Sequence, residues 1–324
     1  MPPSQPQILN PDEDGIAYAA DLLKDGAMVA IPTETVYGLA ADATNAEAVA
    51  EIYKAKGRPS VNPLIVHVAD LAAAEHLAFF GPEARDLAGA FWPGPLTLVL
   101  PKVVAAGVVP EVSAGLSTLA VRIPAHPVAH AILRAVGRPI AAPSANLSGQ
   151  VSPTTAAHVA AGLGRKVAAI LDAGPTDVGV ESTILTVDDG RVSVLRDGGI
   201  PREAIAAMTG PLASDTMPAK VTAPGQMTSH YAPNAQLDIN SPLQDTDAVQ
   251  IGFGAGPEVD FSLSRDGNLV EAAARLFAVL HAADALARET GRARISVAKI
   301  PEKGLGRAIN DRLRRAAAPR PDPL

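Results

Sequence analysis

Three cations lie close together where a helical pattern gives way to an apolar run. Lys54, Lys56 and Arg58 fall within five residues of a chain whose formal net charge is −7. Cations near a helix C-terminus complement the helix dipole, and we interpret Lys54 in this way. The same explanation stays open for the other two cations. However, Gly57 and Pro59 hold the backbone open beside Lys56 and Arg58, so these two residues also predict a local anion site.

Two hydroxyl-rich segments could bind a small polar or phosphorylated ligand. Thr33 and Thr35 lie two apart on an apparent strand, so both are expected to face one side of a sheet. A threonine ladder on a solvated sheet face is the alternative. Further along, Ser144, Asn146 and Ser152 follow a strand and precede a helix, where N–H and hydroxyl groups suit phosphate. Ser152 is also the predicted N-cap of that helix.

Charged residues also occur inside apolar strand patterns. Arg122 lies within the run AVRIP, and a buried arginine must be paired. It is therefore either half of an internal ion pair or a receptor for a carboxylate ligand. The same reasoning applies to Glu181, which enters a strand with Ser182, and to Arg196, which ends a strand before two glycines.

Composition and missing motifs exclude several classes of chemistry. The chain has no cysteine, which removes thiolate nucleophiles, disulfides and cysteine-based zinc sites, and it lacks the P-loop pattern of nucleoside triphosphatases. His126 and His130 have i, i+4 spacing without an accompanying carboxylate ligand pattern, so no metal site is predicted. The segment GFGAG at 252–256 follows a strand but lacks the full dinucleotide-binding spacing. Acidic charge and 3% aromatic content argue against broad nucleic-acid binding.

The alternation of apolar runs with helical patterns predicts an α/β protein. We expect a twisted mixed sheet with flanking helices over residues 1–211, a linker rich in Pro, Ser, Thr and Gly at 212–236, and a smaller Rossmann-like α/β domain at 237–324. Thr44 and Glu47 predict a capping box at the start of the helix that carries Lys54. The polar N-terminus, the missing long apolar stretch and the missing cysteine predict a cytoplasmic protein with no membrane partner.

Seven segments in order resemble one known family. They are PTETVYGL, KAKGRPSVNPLIVHV, FWPGPLTLVL, AVRIP, APSANLSG, GVESTIL and LRDGGI. Together they resemble the YrdC/Sua5 family, the L-threonylcarbamoyladenylate synthases of the tRNA t6A pathway, over about residues 14–210. The linker APGQMTSHYAP and the end GLGRAINDRLRRAA resemble the two-domain Sua5 branch. The resemblance implies that L-threonine, bicarbonate and ATP, with Mg²⁺, give threonylcarbamoyl-AMP and pyrophosphate. A downstream tRNA threonylcarbamoyl transferase would then use the product.

The resemblance also implies a set of site residues. A tetrad at the reaction centre would comprise Lys56, Arg58, Ser144 and Asn146, and the expected ATP contacts are Arg58, Asn62, Thr118, Ser144, Ser152, Arg196 and Tyr231. The expected threonine contacts are Thr35, His67, Arg122, Ala142 through its backbone, and Ser182. Within these sets, Arg122 is expected to bind the threonine carboxylate. Tyr231 is expected to reach back to the nucleotide from the linker, which we expect to act as a lid.

Two other functions remain as alternatives. A carbamoyl-adenylate-forming maturation enzyme would use the same fold, although its known examples carry cysteine-rich zinc modules and this chain has no cysteine. An RNA-binding module is the second alternative. The net charge and the scarcity of aromatic residues disfavour it, while weak tRNA contact stays open.

Overall fold

A computed structural model describes residues 5–213, 229–243, 245 and 247–319. Within these residues the chain forms one large and one small sheet with flanking helices. The strands of the large sheet are β1 (Gln7–Leu9), β2 (Val29–Ile31), β3 (Gly38–Asp42), β4 (Ile65–His67), β5 (Leu96–Pro101), β6 (Thr118–Arg122), β7 (Ile140–Ala141), β8 (Ala169–Leu171), β9 (Thr183–Asp188) and β10 (Arg191–Arg196). The helices among them are α1 (Glu13–Lys24), α2 (Ala46–Lys56), α3 (Leu71–Leu77), α4 (Pro82–Phe91), α5 (Pro127–Val136), α6 (Ala156–Leu163) and α7 (Arg202–Thr209).

The large sheet is mixed, as the sequence predicts. Its order is β1-β8-β2-β3-β7-β4-β6-β5-β9-β10 among the described residues. The pairs β1/β8, β2/β8, β4/β6 and β5/β9 are parallel, and the other neighbours are antiparallel. Because β4 and β6 run side by side in the same direction, residues that end these strands lie together at one edge. His67 and Arg122 are such residues and are direct register partners.

The predicted capping box at the start of α2 is wrong. The N-cap is Asn45, whose side chain accepts hydrogen bonds from the amides of Glu47 and Ala48 at 3.0 and 3.2 Å. Thr44 cannot serve, because its hydroxyl donates to Asp42 Oδ1 at 2.6 Å. The predicted end is confirmed: the backbone turns left-handed after Lys56, which fixes where that side chain leaves the helix.

Two further local predictions also differ from the structure. Thr33 and Thr35 lie in a turn after β2, where the Thr33 hydroxyl oxygen accepts from the amide of Thr35 at 3.2 Å. Helix α6 begins at Ala156 with Thr155 as its N-cap, so Ser152 is not the cap. The Ser152 hydroxyl is buried and donates to a carboxylate, so it is not available to the helix amides. The Thr155 hydroxyl caps the helix in its place.

The small sheet confirms the expected second α/β unit. It comprises β11 (Gln236–Ile239), β12 (Ala248–Gly252), β13 (Phe261–Ser262) and β14 (Arg294–Val297), all parallel, in the order β11-β14-β12-β13. Helices α8 (Leu269–Thr290) and α9 (Gly306–Ala317) pack on it. The domain boundaries at 211 and 236 stay predictions, and residues 214–228 of the predicted linker lie outside the described residues. No helix in the described part of the chain is long and apolar enough to cross a membrane.

The two units contact each other through polar and aromatic side chains. His158 of α6 stacks on His281 of α8 with ring centroids 4.0 Å apart. Glu203 of α7 forms a 3.0 Å ion pair with Arg307 of α9. Apolar residues of the first unit, Val180 among them, belong to the hydrophobic cluster of the second unit. The interface therefore holds α8 against α6 and α9 against α7.

Candidate active site

A cavity lined by buried side chains lies where the first unit meets the described part of the linker, and its charged lining residues, Arg58, Arg122, Glu181 and Arg196, belong to the first unit. Thr33 and Glu181 belong to its lining, and so does His230, which the sequence did not predict as a ligand contact. The lining also contains nine of the predicted site residues: Thr35, Arg58, His67, Arg122, Ala142, Ser144, Ser182, Arg196 and Tyr231.

Arg58 is held in the cavity wall by backbone carbonyls alone. Its Nε donates to Asn62 O at 3.1 Å and its Nη2 to Pro63 O at 2.8 Å. Burial lowers the pKa of Arg58 to about 10, so the side chain keeps its charge at neutral pH. No described carboxylate forms an ion pair with it. Carbonyl dipoles orient a charge without cancelling it, so Arg58 presents net positive charge to the cavity.

Asn62 carries a second sign of a ligand site. Its backbone carbonyl accepts from Arg58, but its side-chain Nδ2 and Oδ1 are buried with no hydrogen-bond partner among the described residues. Leaving such groups unpaired costs about 1–3 kcal/mol, so a buried amide of this kind is expected to have a partner when the site is occupied. Asn62 does not line the cavity itself.

Lys56 lies behind the cavity wall. Its Nζ donates to the backbone carbonyls of Ser144 at 2.5 Å and Asn146 at 2.6 Å, and it is absent from the lining. Burial and the charge of Arg58 lower the pKa of Lys56 well below its usual value. The side chain of Asn146 in turn donates to Gln150 O at 2.8 Å. These bonds fold the loop after β7 and place Ser144 at the cavity.

Arg122 is half of an internal ion pair, one of the two possibilities that the sequence left open. Its Nη2 lies 2.7 Å from Oε1 of Glu34, and its Nη1 donates to the Thr35 hydroxyl at 3.0 Å. Burial opposes the charge of Glu34, but the positive charge of Arg122 and hydrogen bonds outweigh it and lower the pKa of the carboxyl. The pair is neutral overall, and Arg122 still lines the cavity.

His67 lies next to Arg122 and is neutral. Burial, together with the charge of Arg122, lowers the pKa of His67 to about 3. Its Nδ1 is buried and has no hydrogen-bond partner within the described part of the chain. A neutral imidazole with one free ring nitrogen can accept from or donate to a ligand hydroxyl or ammonium, depending on its tautomer.

Arg196 and Ser182 connect β10 to the residue before β9. Arg196 donates from Nη2 to Ser182 O at 2.9 Å and to Ser182 Oγ at 3.1 Å. The Ser182 hydroxyl also bonds to that of Thr97 at 2.7 Å. This network places a guanidinium and a hydroxyl together in the lining, so charge and hydrogen-bonding groups converge from adjacent strands.

The second unit contributes an arginine that the sequence reasoning missed. Arg312 of α9 is fully buried and forms a 2.9 Å ion pair with Glu181, which accepts from Ser152 Oγ at 2.6 Å. Burial disfavours the charge of Glu181, yet Arg312 and the nearby Arg196 lower the pKa of that carboxyl overall. One signal could have found Arg312: it falls on the apolar stripe of α9, three residues after Ile309.

The described part of the predicted linker enters the same cavity. Tyr231 is buried and lies 5.5 Å from the guanidinium carbon of Arg312 and 5.5 Å from the ring of Phe277. The next residue, Ala232, donates its amide to Gly149 O at 2.8 Å. The linker is therefore tied to the loop that Lys56 holds, and Tyr231 lies between the two units at the cavity.

Five of the predicted residues do not line the cavity. Lys56, Asn62 and Ser152 are hydrogen-bonded to lining residues, and Asn146 is bonded to Lys56 behind them. Thr118 is different, because it begins strand β6 and Arg122 ends it, so about 13 Å of extended chain separates them. The ligand-binding roles of all the predicted site residues stay predictions.

Two family profiles together match nearly the whole chain. The Sua5, YciO and YrdC profile, described as telomere recombination, matches residues 21–198. A second profile, described as the threonylcarbamoyl-AMP synthase C-terminal domain, matches residues 200–318.

The chain belongs to the Sua5/YrdC family.

Relatives in the Sua5/YrdC family match both units. A threonylcarbamoyl-AMP synthase of Bacillus subtilis is 44% identical over 335 residues, which cover 96% of this chain and 95% of that protein. A Pyrococcus abyssi protein of the same name is 41% identical over 94% of this chain and 95% of its own length. The crystal structure of P. abyssi Sua5 complexed with L-threonine has a TM-score of 0.85 to this chain, at 39% identity, and the match covers 96% of this chain and 97% of that one.

Proposed function

We propose that the protein is an L-threonylcarbamoyladenylate synthase, which forms threonylcarbamoyl-AMP and pyrophosphate from L-threonine, bicarbonate and ATP. One observation carries the proposal: a single cavity holds an arginine with no carboxylate partner, Arg58, and an arginine neutralised by a carboxylate, Arg122. Similarity along the full chain to relatives of that name supports it.

The neutral part of the cavity suits a zwitterionic amino acid. The Arg122 guanidinium can donate to the threonine carboxylate, since a guanidinium presents several N–H groups in one plane. Ala142 donates its amide to Ile65 O at 3.0 Å, so its carbonyl is the backbone group that can accept from the threonine nitrogen. His67 and Ser182 are the candidate contacts for the threonine hydroxyl. A relative from P. abyssi binds L-threonine in its crystal structure, which supports this assignment.

The positive part of the cavity suits the triphosphate of ATP. Arg58 and Arg196 line it, and the hydroxyl of Ser144 is positioned by Lys56 from behind. The lining carboxylate Glu181 is held by Arg312, and Glu34, which does not line the cavity, is held by Arg122. We therefore propose that Mg²⁺ enters as part of the substrate MgATP, with phosphate oxygens and water as its ligands.

The reaction needs positioning and charge stabilisation rather than a covalent nucleophile. The threonine amine adds to the bicarbonate carbon and water leaves, which gives a carbamate. A carbamate oxygen then attacks the α-phosphorus of ATP, the bond from that phosphorus to the bridging oxygen breaks, and pyrophosphate leaves with the electron pair. Arg58 and Arg196 would stabilise the negative charge that accumulates on the phosphate oxygens.

The product would next pass to a tRNA threonylcarbamoyl transferase, which places the group on adenosine 37 of tRNA. We propose a cytoplasmic location for this step. We also propose that this protein makes weak direct contact with tRNA.

A direct assay tests the function. The protein is incubated with MgATP, bicarbonate and L-threonine, and pyrophosphate and the adenylate are followed by enzymatic detection and mass spectrometry. We expect pyrophosphate release that requires threonine. Release without threonine would contradict the proposed amino-acid substrate, and no release with tight RNA binding would support an RNA-binding module.

We also propose that the segment around Tyr231 is the lid of this cavity. Its burial between Arg312 and Phe277 supports a closed state that excludes water. Deleting residues 222–324, or changing Tyr231→Ala in the full chain, is expected to impair turnover. Circular dichroism must show that the first unit is still folded. Full activity of the truncated protein would contradict the lid.

A further inference from the structure

The small sheet carries a cleft of its own at the carboxyl ends of its strands. The cleft has a volume of about 530 Å³, within the range of about 300–1,000 Å³ that small-molecule sites occupy. None of its lining residues lines the cavity between the two units. The lining comprises Ser241–Leu243 after β11, 252–259 at the end of β12, Ser262 of β13, Arg265, and Ala298 after β14.

The topology of the sheet places this cleft where parallel sheets bind ligands. Strands β12 and β14 are adjacent and parallel. From β12 the chain continues to β13 on one side, and from β14 it continues to α9, which packs against β11 on the other side. The two connections leave in opposite directions and open a crevice between them, and ligands of open α/β sheets bind in such a crevice.

The glycine-rich loop after β12 leaves its backbone open to this crevice. Gly254 has a φ of +76°, which accounts for a glycine there, and its amide donates to Ser264 O at 2.7 Å. Gly256 has no such conformation, and a Cβ at this position would meet nothing within 4 Å. Among the described residues, the amides of Ala255 and Gly256 have no hydrogen-bond partner. Exposed successive amides are an anion-binding arrangement.

A single arginine and a single carboxylate complete the polar lining. Arg265 is exposed in the cleft and forms no hydrogen bond or ion pair with any described residue. A guanidinium suits a phosphate, to which it can donate two parallel hydrogen bonds. Glu258 also lines the cleft, and a carboxylate accepts hydrogen bonds from ligand hydroxyls. A ligand that carries both phosphate and hydroxyl groups satisfies both residues, as a free inorganic anion does not.

We propose that this cleft is a second ligand site, which binds a nucleoside monophosphate with its phosphate on the loop amides and Arg265 and its ribose hydroxyls on Glu258. The site is independent of the proposed synthase reaction, because it shares no lining residue with the cavity between the units.

The test uses AMP as the probe and the glycine amides of the loop as reporters. The full-length, ¹⁵N-labelled protein is titrated with AMP, and the resonances of Gly254 and Gly256 are followed by two-dimensional NMR. Saturable shifts of both resonances are expected in the wild type. Arg265→Gln is expected to weaken this binding at least tenfold. Arg288→Gln, which removes the same charge at an exposed position in the last turn of α8, is the matched control and should bind as the wild type does.

A second variant fills the space beside the loop. Gly256→Val is expected to abolish the AMP-induced shift of Gly254 without lowering the melting temperature, because its Cβ lies in open space. Two further probes separate the sources of affinity: adenosine should not shift the loop amides, and inorganic phosphate should shift them only at higher concentration. The proposal is wrong if AMP leaves both glycine resonances unmoved, if Arg265→Gln binds AMP as tightly as Arg288→Gln, or if adenosine binds as tightly as AMP.

Discussion

Arg58 and Arg122 line one cavity, and the protein holds them in different ways. Arg58 donates to two backbone carbonyls, which hold its position and leave its charge uncompensated. Arg122 faces the carboxylate of Glu34 at 2.7 Å, which cancels its charge. Both are buried. An acidic chain can therefore build two chemically distinct ends in one cavity with the same residue type, by changing only what the guanidinium donates to.

This difference predicts which substrate each end prefers. An uncompensated charge attracts a polyanion such as a triphosphate, because Coulomb attraction is strong in a partly buried site. A neutral ion pair has no net attraction for charge, but its guanidinium still offers directed hydrogen bonds to a carboxylate. The four experiments that follow test this division of the cavity.

The largest effect is expected for Arg58→Ala. Loss of the uncompensated charge should lower kcat/KM for ATP by about 10²–10³-fold, as removal of one preorganised donor does in other enzymes. The threonine KM should change little. Lys54→Ala is the matched control, because Lys54 is a cation four residues before Arg58 that is exposed and paired with Glu51. Equal losses in the two variants would contradict a special role for Arg58.

A second experiment removes the neutralised arginine. Arg122→Ala should raise the threonine KM roughly 10- to 100-fold, the value of a charged hydrogen bond, and leave the ATP KM nearly unchanged. It also leaves Glu34 buried and unpaired, which should lower the free energy of unfolding by about 3–5 kcal/mol. The double variant Glu34→Gln/Arg122→Met should recover stability but not threonine binding. An unchanged threonine requirement would show that Arg122 does not bind the carboxylate.

Arg312→Met tests whether the second unit sets the charge of the cavity. Breaking the buried pair with Glu181 should lower the free energy of unfolding by about 3 kcal/mol, as measured by urea titration. The freed carboxylate should then repel the triphosphate, so the ATP KM should rise more than the threonine KM. Arg314→Met, an exposed position on the same helix, is the control. A rise in the threonine KM alone would contradict the assignment of ATP to the Arg58 side of the cavity and of threonine to the Arg122 side.

The smallest effect is expected for His67, beside the Arg122–Glu34 pair, and concerns how the free energy of unfolding depends on pH. The pKa of His67 is about 3 in the folded protein and about 6.5 when unfolded, so the unfolded state binds more protons between these values. Stability should therefore be complete above pH 6.5 and fall by about 1.4 kcal/mol per pH unit below it through this residue. His67→Asn should flatten the curve of unfolding free energy against pH. His76→Asn, at an exposed position, should not change the slope.

The sequence predicts the alternating elements well and the pairings poorly. The continuous apolar runs around Val66, Leu98 and Val121 do form strands, because a buried strand needs such a run. Short strands such as β1 and β13, of three and two residues, lack enough residues to form a pattern. The capping predictions at Thr44 and Ser152 failed because each hydroxyl bonds to a carboxylate instead of the helix amides.

The candidate site was also predicted only in part from the sequence. Nine predicted residues meet in one lining, and most of them end, follow or precede a strand of the large sheet. Glu34 and Arg312 were missed as site residues. Glu34 pairs with a residue on β6, and Arg312 pairs with one 131 positions away. Contacts of this range depend on the fold, so local periodicity can indicate that Arg312 is buried but not which residue it pairs with.

The ion pair between Arg312 and Glu181 also joins two residues that the ribosome adds to the chain at different times. At about 5–20 residues per second, a ribosome that has translated Glu181 needs roughly 7 to 26 s to reach the arginine 131 residues later. Throughout that interval the growing chain has β9 and its carboxylate but not the cation that neutralises it. Until α9 emerges, the buried carboxylate of Glu181 therefore lacks the cation that pairs with it in the complete chain.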